Sequence, residues 1–301
     1  SMILMLAVVV IVIVMFMAWW FTNPLNSAIA VIKKMADGHF DQRIEINDFL
    51  HTELAELAES SNYMAEKLDM IETSRREFVS NVSHELKTPL SSIKVLSDSI
   101  LIQDPENVPK EMYVEFLMDI NSEVDRMTDI INDLLTLVRM NREEVHLNPM
   151  EINLTDMISD IVRRLEPIAK SKNINLNYNK LKAVKAEIEE TKFSLAVSNL
   201  IENAIKYNND GGNVEVTVDA DNQNAFVTIA DDGVGIAEEE LGKIFDRFYR
   251  VDKNRDRESG GTGLGLSIAR SAVLMHNGTI KVSSKENEGT TFVIIIPLKQ
   301  E

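Results

Sequence analysis

The chain has 301 residues, 45% of them hydrophobic, and a formal net charge of -17. It is too long for one ordinary domain, so several folded modules are expected, while the acidity excludes the basic face that nucleic acid or adsorption to anionic lipid would need. It contains no cysteine, which excludes disulfides, thiol nucleophiles and thiolate zinc sites.

Membrane attachment then has to come from insertion, and residues 2–21 supply it. The run is uncharged and apolar over about 20 residues, enough to cross roughly 30 Å of hydrocarbon. Trp19 and Trp20 stand where an aromatic belt belongs, and Lys33 and Lys34 place the following residues in the cytoplasm. A cleaved signal peptide is the competing reading, but a basic leading segment and a small-residue cleavage site are both missing. Ser1 ahead of Met2 reads as an added residue, and the run as the last span of a longer receptor.

Residues 24–36 read as a short helix carrying Leu25, Ile29 and Ile32, stopped by Asp37-Gly38. An extended connector is expected over 39–52. A second helix opens on Glu53-Leu54, and Leu54, Leu57, Ser61, Met64, Leu68 and Ile71 alternate steps of three and four, a heptad seam running toward Phe78. So narrow a seam wants a partner, and a second copy is the simplest one, giving a parallel homodimer. This order of span, helix, glycine-containing connector and second helix resembles a HAMP relay. The competing reading is an ordinary coiled-coil spacer.

In the tract from residue 78 to 90, Phe78, Val82, Leu86 and Leu90 recur at helical spacing, continued by Ile93 and Leu96. His84 falls off that stripe, so its imidazole points to water or a partner, where an unprotonated ring nitrogen is a nucleophile near neutral pH. A carboxylate at Glu85 can hold the other ring N–H and raise the basicity of the attacking nitrogen. Thr88 lies one turn along from His84, able to position a water or a phosphoryl oxygen, and Pro89 should bend the helix and loosen the packing just beyond. Pro105 and Pro109 break this helix. A second amphipathic helix, about 111–142, carries Phe116, Ile120, Val124, Met127, Ile131, Leu134 and Val138. Two such helices make a hairpin, and two hairpins close a four-helix bundle with His84 on its outer face. Asn148-Pro149 reads as a boundary.

From about residue 150 helices mix with alternating strands, for instance 214–218, 225–230, 280–283 and 291–297, which indicates an α/β domain. The helix 192–207 presents Asn199 and Asn203 on one face with Lys206 beyond; amide oxygens suit Mg²⁺ and an ammonium suits phosphate. The run Asp231-Asp232-Gly233-Val234-Gly235 follows a strand. Its first carboxylate can accept from an exocyclic adenine amine, and Gly233 and Gly235 let backbone pass close to the base. Gly261-Thr262-Gly263-Leu264-Gly265 precedes a helix whose free N–H groups suit a triphosphate.

Taken in order, S-H-E-L-K-T-P with His84, N-L-I-E-N-A-I-K-Y at 199–207, D-D-G-V-G-I at 231–236, I-F-D-R-F-Y-R at 244–250 and G-T-G-L-G-L at 261–266 make the chain resemble a bacterial transmembrane sensor histidine kinase of a two-component system. The resemblance implies a multidomain chain: a transmembrane helix (1–22), an all-α HAMP-like relay and coiled coil (23–72), a dimeric four-helix bundle for dimerisation and histidine phosphotransfer (73–147), and an α/β sandwich ATP-binding domain of the gyrase and Hsp90 type (148–301). It implies localisation in the bacterial cell membrane with the catalytic part in the cytoplasm, and ATP and Mg²⁺ as cofactors. His84 would take the γ-phosphoryl group on Nε2, with Glu85 as orienting base, and pass it to an aspartate of a response regulator; Thr88 would help the reverse hydrolysis. Asn203 would ligate Mg²⁺, Asn199 and Lys206 attend the phosphates, Tyr207 line the pocket, and Asp231 read adenine beside Gly233 and Gly235. The second glycine box, with Gly261, Gly263, Leu264 and Gly265, would cradle phosphate, and the segment from 244 to 260 would form a lid with Arg247 and Arg250 as phosphate contacts. Phe245 and Phe248 read equally as core packing. Asn208 and Asn209 follow the N box, the tract 199–207, where the family leads one to expect threonine or serine. The alternatives are an ATPase of the same nucleotide fold that phosphorylates nothing and a degenerate membrane signalling scaffold.

Overall fold

A computed structural model describes residues 2–44, 53–102, 109–140, 147–251 and 261–300. Ser1, most of the expected connector, the expected break after residue 102 and residues 252–260 of the expected lid lie outside the described residues. Contacts divide the chain into a unit Ser1–Ser83 and a unit His84–Glu301.

In the first unit, α1 (Met2–Ala36) is one continuous helix. The separate short helix expected over 24–36 is its last third: the helix runs on through Pro24, and Asp37-Gly38 is where it stops. That stop is a Schellman turn: Gly38, at φ 89, donates to Met35 O (3.0 Å), and His39 N–H donates to Lys34 O (3.0 Å). Ile44 returns against the helices with Ala28 and Ala58, its backbone N–H and C=O both paired to the Asn62 amide at 2.8 and 2.9 Å. On α2 (Glu53–Ile102) the small residues Ala58 and Ala65 are covered, whereas Leu57, Met64, Leu68 and Ile71 of the heptad seam stay exposed. The seam is therefore open to a further chain.

In the second unit α2 runs unbroken through Pro89, which is buried, and α3 (Lys110–Met140) buries Ile130, Leu137 and Met140. Leu137 and Met140 join the core of the α/β domain. That domain opens with β1 (Met150–Asn153) and α4 (Leu154–Ser171), the Asn153 side chain accepting from Thr155 N–H as an N-cap. There follow β2 (Asn175–Lys180), β3 (Lys185–Ile188), α5 (Glu190–Lys206), β4 (Asn213–Ala220), β5 (Asn224–Asp231), α6 (Gly265–Met275), β6 (Thr279–Lys285) and β7 (Gly289–Pro297). One sheet runs β2-β4-β5-β7-β6 with only the β2–β4 pair parallel, and β1 pairs β3 antiparallel in a smaller one. Val214, Val216 and Val218 on β4, Val227 and Ile229 on β5, and Phe292, Ile294 and Ile296 on β7 alternate inward. Against that face pack Phe193, Val197, Leu200 and Ile201 of α5 and Ile268 and Ala272 of α6. Buried His276, after α6, ties the layer together: Nδ1–H donates to Ala272 O (2.7 Å) and Nε2 accepts from Glu189 N–H (3.0 Å) at the start of α5. This sandwich sets the last turn of α5, the end of β5 and the first turn of α6 around one place.

Candidate active site

Two clusters of the expected residues form. On α2 the His84 side chain is 75% exposed, at the lip of an open groove of about 820 Å³ between α2 and α3. Lys87, Thr88, Ser91 and Ser92 line it from α2, and Asp119, Ser122 and Glu123 from α3. Glu85 Oε1 stands 4.0 Å from His84 Nδ1, in ion-pair range but too long for a hydrogen bond. Thr88 Oγ1 donates to His84 O (3.1 Å), which fixes the hydroxyl beside the backbone of the turn that carries the imidazole. Pro89 offers no N–H to the carbonyl of Glu85, four residues earlier, so the ladder lacks a bond at this point.

The second cluster lies in the α/β domain, where glycines permit close approaches. A methyl group on Gly261 would collide with Lys206 Nζ, and one on Gly265 would stand 2.8 Å from Asn199 Oδ1. One on Gly233 would lie 2.6 Å from Tyr207 O and 2.9 Å from Asp231 Oδ1. The N box and both glycine boxes therefore meet. Gly263, at φ 71, has Arg250 Cγ 3.3 Å from its missing methyl, so Arg250 lies against the second glycine box, while Arg247 is exposed. Gly235, at φ 66, sits where a side chain would strike the Lys285 carbonyl. Leu264 is buried and is the N-cap residue just before α6. Lys206 Nζ also stands 4.8 Å over the Tyr207 ring.

Asp231 ends β5, and its Oδ1 accepts from Gly233 N–H (3.0 Å) and Thr290 N–H (3.3 Å). Burial pushes this carboxyl up to about 6; the two backbone donors oppose the shift and Asp232 adds to it. Among the described residues nothing bonds the half-buried Asn203 amide, so its oxygen is available to a ligand. Asn199 spends its amide N–H₂ on Leu195 O (2.9 Å), which leaves its oxygen toward Gly265.

Sequence reasoning missed several neighbours. Thr262 Oγ1 donates to Asp133 Oδ2 (2.6 Å) on α3 and accepts from Leu264 N–H (3.2 Å), linking the second glycine box to the helix pair. Burial raises the Asp133 carboxyl, the Thr262 bond opposing and Asp129 adding. Phe248 holds φ 63, donates to Gly263 O (2.9 Å) and packs on the core with Phe245, as the packing alternative has it. Thr262 stands inside the second glycine box, but its hydroxyl carried no expected role; nothing in the sequence marked Thr290 or Asp133.

Three family models match this chain. The model described as "Histidine kinase-, DNA gyrase B-, and HSP90-like ATPase" covers residues 188–300, "His Kinase A (phospho-acceptor) domain" covers 74–143, and "HAMP domain" covers 16–70. The chain belongs to the sensor histidine kinases. Curated histidine kinases similar to it include the sensor histidine kinase WalK of Bacillus subtilis, 37% identical over 239 residues (78% of this chain, 38% of that protein). The sensor protein kinase WalK of Staphylococcus aureus is 38% identical over 232 residues (75% and 54%). The chain thus spans between about two fifths and about half of these two kinases. Among solved structures, histidine kinase ThkA in complex with response regulator protein TrrA aligns over 84% of this chain and 68% of that one, with 25% identity and a TM-score of 0.58. The Acinetobacter baumannii histidine kinase AdeS shares the fold over 71% of this chain and 98% of its own, with 22% identity and a TM-score of 0.56. The histidine kinase architecture therefore extends across the helix pair and the sandwich.

Proposed function

We propose that the protein is a membrane-anchored protein-histidine kinase that uses ATP to phosphorylate His84 and hands the group to an aspartate of a response regulator. The observation that carries this reading is the pairing, in one chain, of an exposed imidazole over a groove with a domain that gathers two amides, an ammonium and two glycine boxes around Asp231. The nucleotide is a fitting substrate for that domain. Asp231 keeps Oδ2 for an adenine amine, Gly261 and Gly265 leave room beside Lys206 and Asn199, and the α6 N-terminus directs N–H groups at anionic oxygen. Tyr207 would border the base, and Arg247 and Arg250 would close over the phosphates. A Mg²⁺ ion on the Asn203 amide oxygen would neutralise charge on the phosphate chain.

In the transfer, the lone pair of His84 Nε2 forms the N–P bond while the bond from the γ-phosphorus to the bridging oxygen breaks, and ADP leaves with that electron pair. Glu85 faces Nδ1 at 4.0 Å; drawn in to hydrogen-bond distance it would hold the N–H there and offset the positive charge that develops on the ring. Transfer to the regulator reverses the demand, and Thr88 beside the imidazole would orient water for hydrolysis of the regulator's phosphoaspartate. Two copies would close the bundle over the apolar faces, as the open heptad seam also requires. The first helix is long and apolar enough to cross a membrane, with Lys33 and Lys34 on the cytoplasmic side.

The test is incubation of the whole chain with labelled ATP and Mg²⁺. Label should stay on the protein in alkali, leave in acid, and be absent from His84→Gln. Label retained in that variant, or none on a wild-type chain shown to bind ATP, would end this reading.

A further inference from the structure

Resting on His84 as phosphoacceptor, we propose that Arg126 is a positioning residue for the transfer, holding the Glu85 carboxylate where it can serve the His84 ring. Consecutive residues on a helix do not face each other, so Glu85 has no local reason to stay beside its neighbour's imidazole. An anchor on the facing helix supplies one. Arg126 of α3 brings Nη2 to 4.0 Å from Glu85 Oε2, while Glu85 Oε1 stands 4.0 Å from His84 Nδ1. One carboxylate thus spans from the guanidinium on α3 to the imidazole on α2.

The burial of the three side chains is graded: His84 is 75% exposed, Glu85 23% and Arg126 16%. Water competes strongly for the imidazole and weakly for the ion pair, so Arg126 and Glu85 attract each other with little screening. Among the described residues, buried Arg126 Nε has no hydrogen-bond partner, and neither has Oε2 of Glu123, one turn earlier on the same helix. A finished structural ion pair spends its buried donors; this guanidinium keeps one in reserve, which lets it follow Glu85 as the carboxylate shifts between ring and anchor. Glu123, one turn before Arg126, lines the groove with His84.

A double-mutant cycle in the whole dimeric chain tests this, reading the initial rate of His84 phosphorylation across pH with Arg126→Gln, Arg126→Lys, Glu85→Gln and the Arg126→Gln/Glu85→Gln pair. Arg126→Gln should slow transfer about tenfold or more and move the acid limb of the pH–rate profile, Arg126→Lys should restore most of the rate, and Arg126→Gln should add nothing once Glu85 is Gln. Dimer mass and ADP affinity should be unchanged. A full additional loss in the Glu85→Gln background, equal losses in Gln and Lys variants, or dissociation of the dimer would each overturn the proposal by showing a role independent of Glu85. A wild-type rate in Arg126→Gln would overturn it alone, whereas no phosphate on wild-type His84 would overturn the kinase reading with it.

Discussion

A carboxylate drawn part-way out of water at the end of a β-strand holds its proton longer than an exposed one. Asp231 is in that position: burial raises it from 3.8 to about 6 despite the N–H groups of Gly233 and Thr290. Between those two values the fold holds a proton that the unfolded chain has released. The resulting stabilisation is full below about pH 3.8, falls as pH rises, and is gone above about pH 6, an effect on the order of 2–3 kcal/mol. Nucleotide reverses the preference, because an adenine amine donates and wants the ionised acceptor. ADP affinity should therefore fall severalfold as pH drops from 7.5 to 5 in the wild type. Asp231→Asn keeps an acceptor and cannot titrate, so its affinity should follow only the phosphate's own ionisation. Calorimetric titration of both across that range checks this, and identical pH dependence would remove Asp231 from the base pocket.

At the scale of elements, alternation and helical spacing made much of the α/β domain readable. The strands at 214–218, 225–230 and 291–297 fall within β4, β5 and β7, because buried apolar residues repeat every second position there. Asn199 and Asn203 share α5 because a four-residue interval is one helical turn. Strand order and long-range partners were not readable: Thr290 reaches Asp231 only through the β5–β7 pairing, and Asp133 meets Thr262 across 129 residues. Backbone conformation was half legible, since glycine at 263 hints at a left-handed turn while nothing hints that Phe248 adopts one too. That turn yields a prediction. At Gly263 an alanine methyl would sit at φ 71, only 2.9 Å from Phe248 Cα and 3.0 Å from its carbonyl carbon, so backbone must move. A left-handed alanine costs about 1–2 kcal/mol before any clash, and the displaced segment is the one that leads into α6. Gly263→Ala should lower the melting temperature and weaken ADP binding by about tenfold or more, a loss of roughly 1.4 kcal/mol. Gly242→Ala, with nothing within 4 Å of its added carbon, should do neither. Equal behaviour of the two variants in melting and titration would contradict the close packing of Gly263 on Phe248.

For the whole molecule the deciding quantity is apolar surface that one chain leaves in water. Along α3, Val114, Leu117, Met118, Val124, Ile131, Leu135 and Val138 are exposed, and on the same unit Leu90, Val95, Leu101 and Ile102 of α2 are exposed as well. Each such side chain gains roughly 1.5–3 kcal/mol when buried, so a lone helix pair carrying this surface is a poor folded state, and a patch of this extent marks an interface. A second hairpin of the same sequence offers the complementary surface, with the 450 Å³ hollow lined by Val114, Leu117 and Met118 as one place to seat it. If dimer formation and helix-pair folding are one event, stability depends on protein concentration. The first transition of the detergent-solubilised chain should rise in temperature on concentrating the protein, whereas melting of the α/β domain, with its own buried core, should not move. Leu117→Glu would place a charge in the hollow and should give a monomer by sedimentation, with His84 phosphorylation reduced and ADP affinity retained, since the α3 residue that reaches the second glycine box, Asp133, lies several turns beyond Leu117. A Leu117→Glu chain that stays dimeric and melts as wild type would show that this face is not where two copies meet.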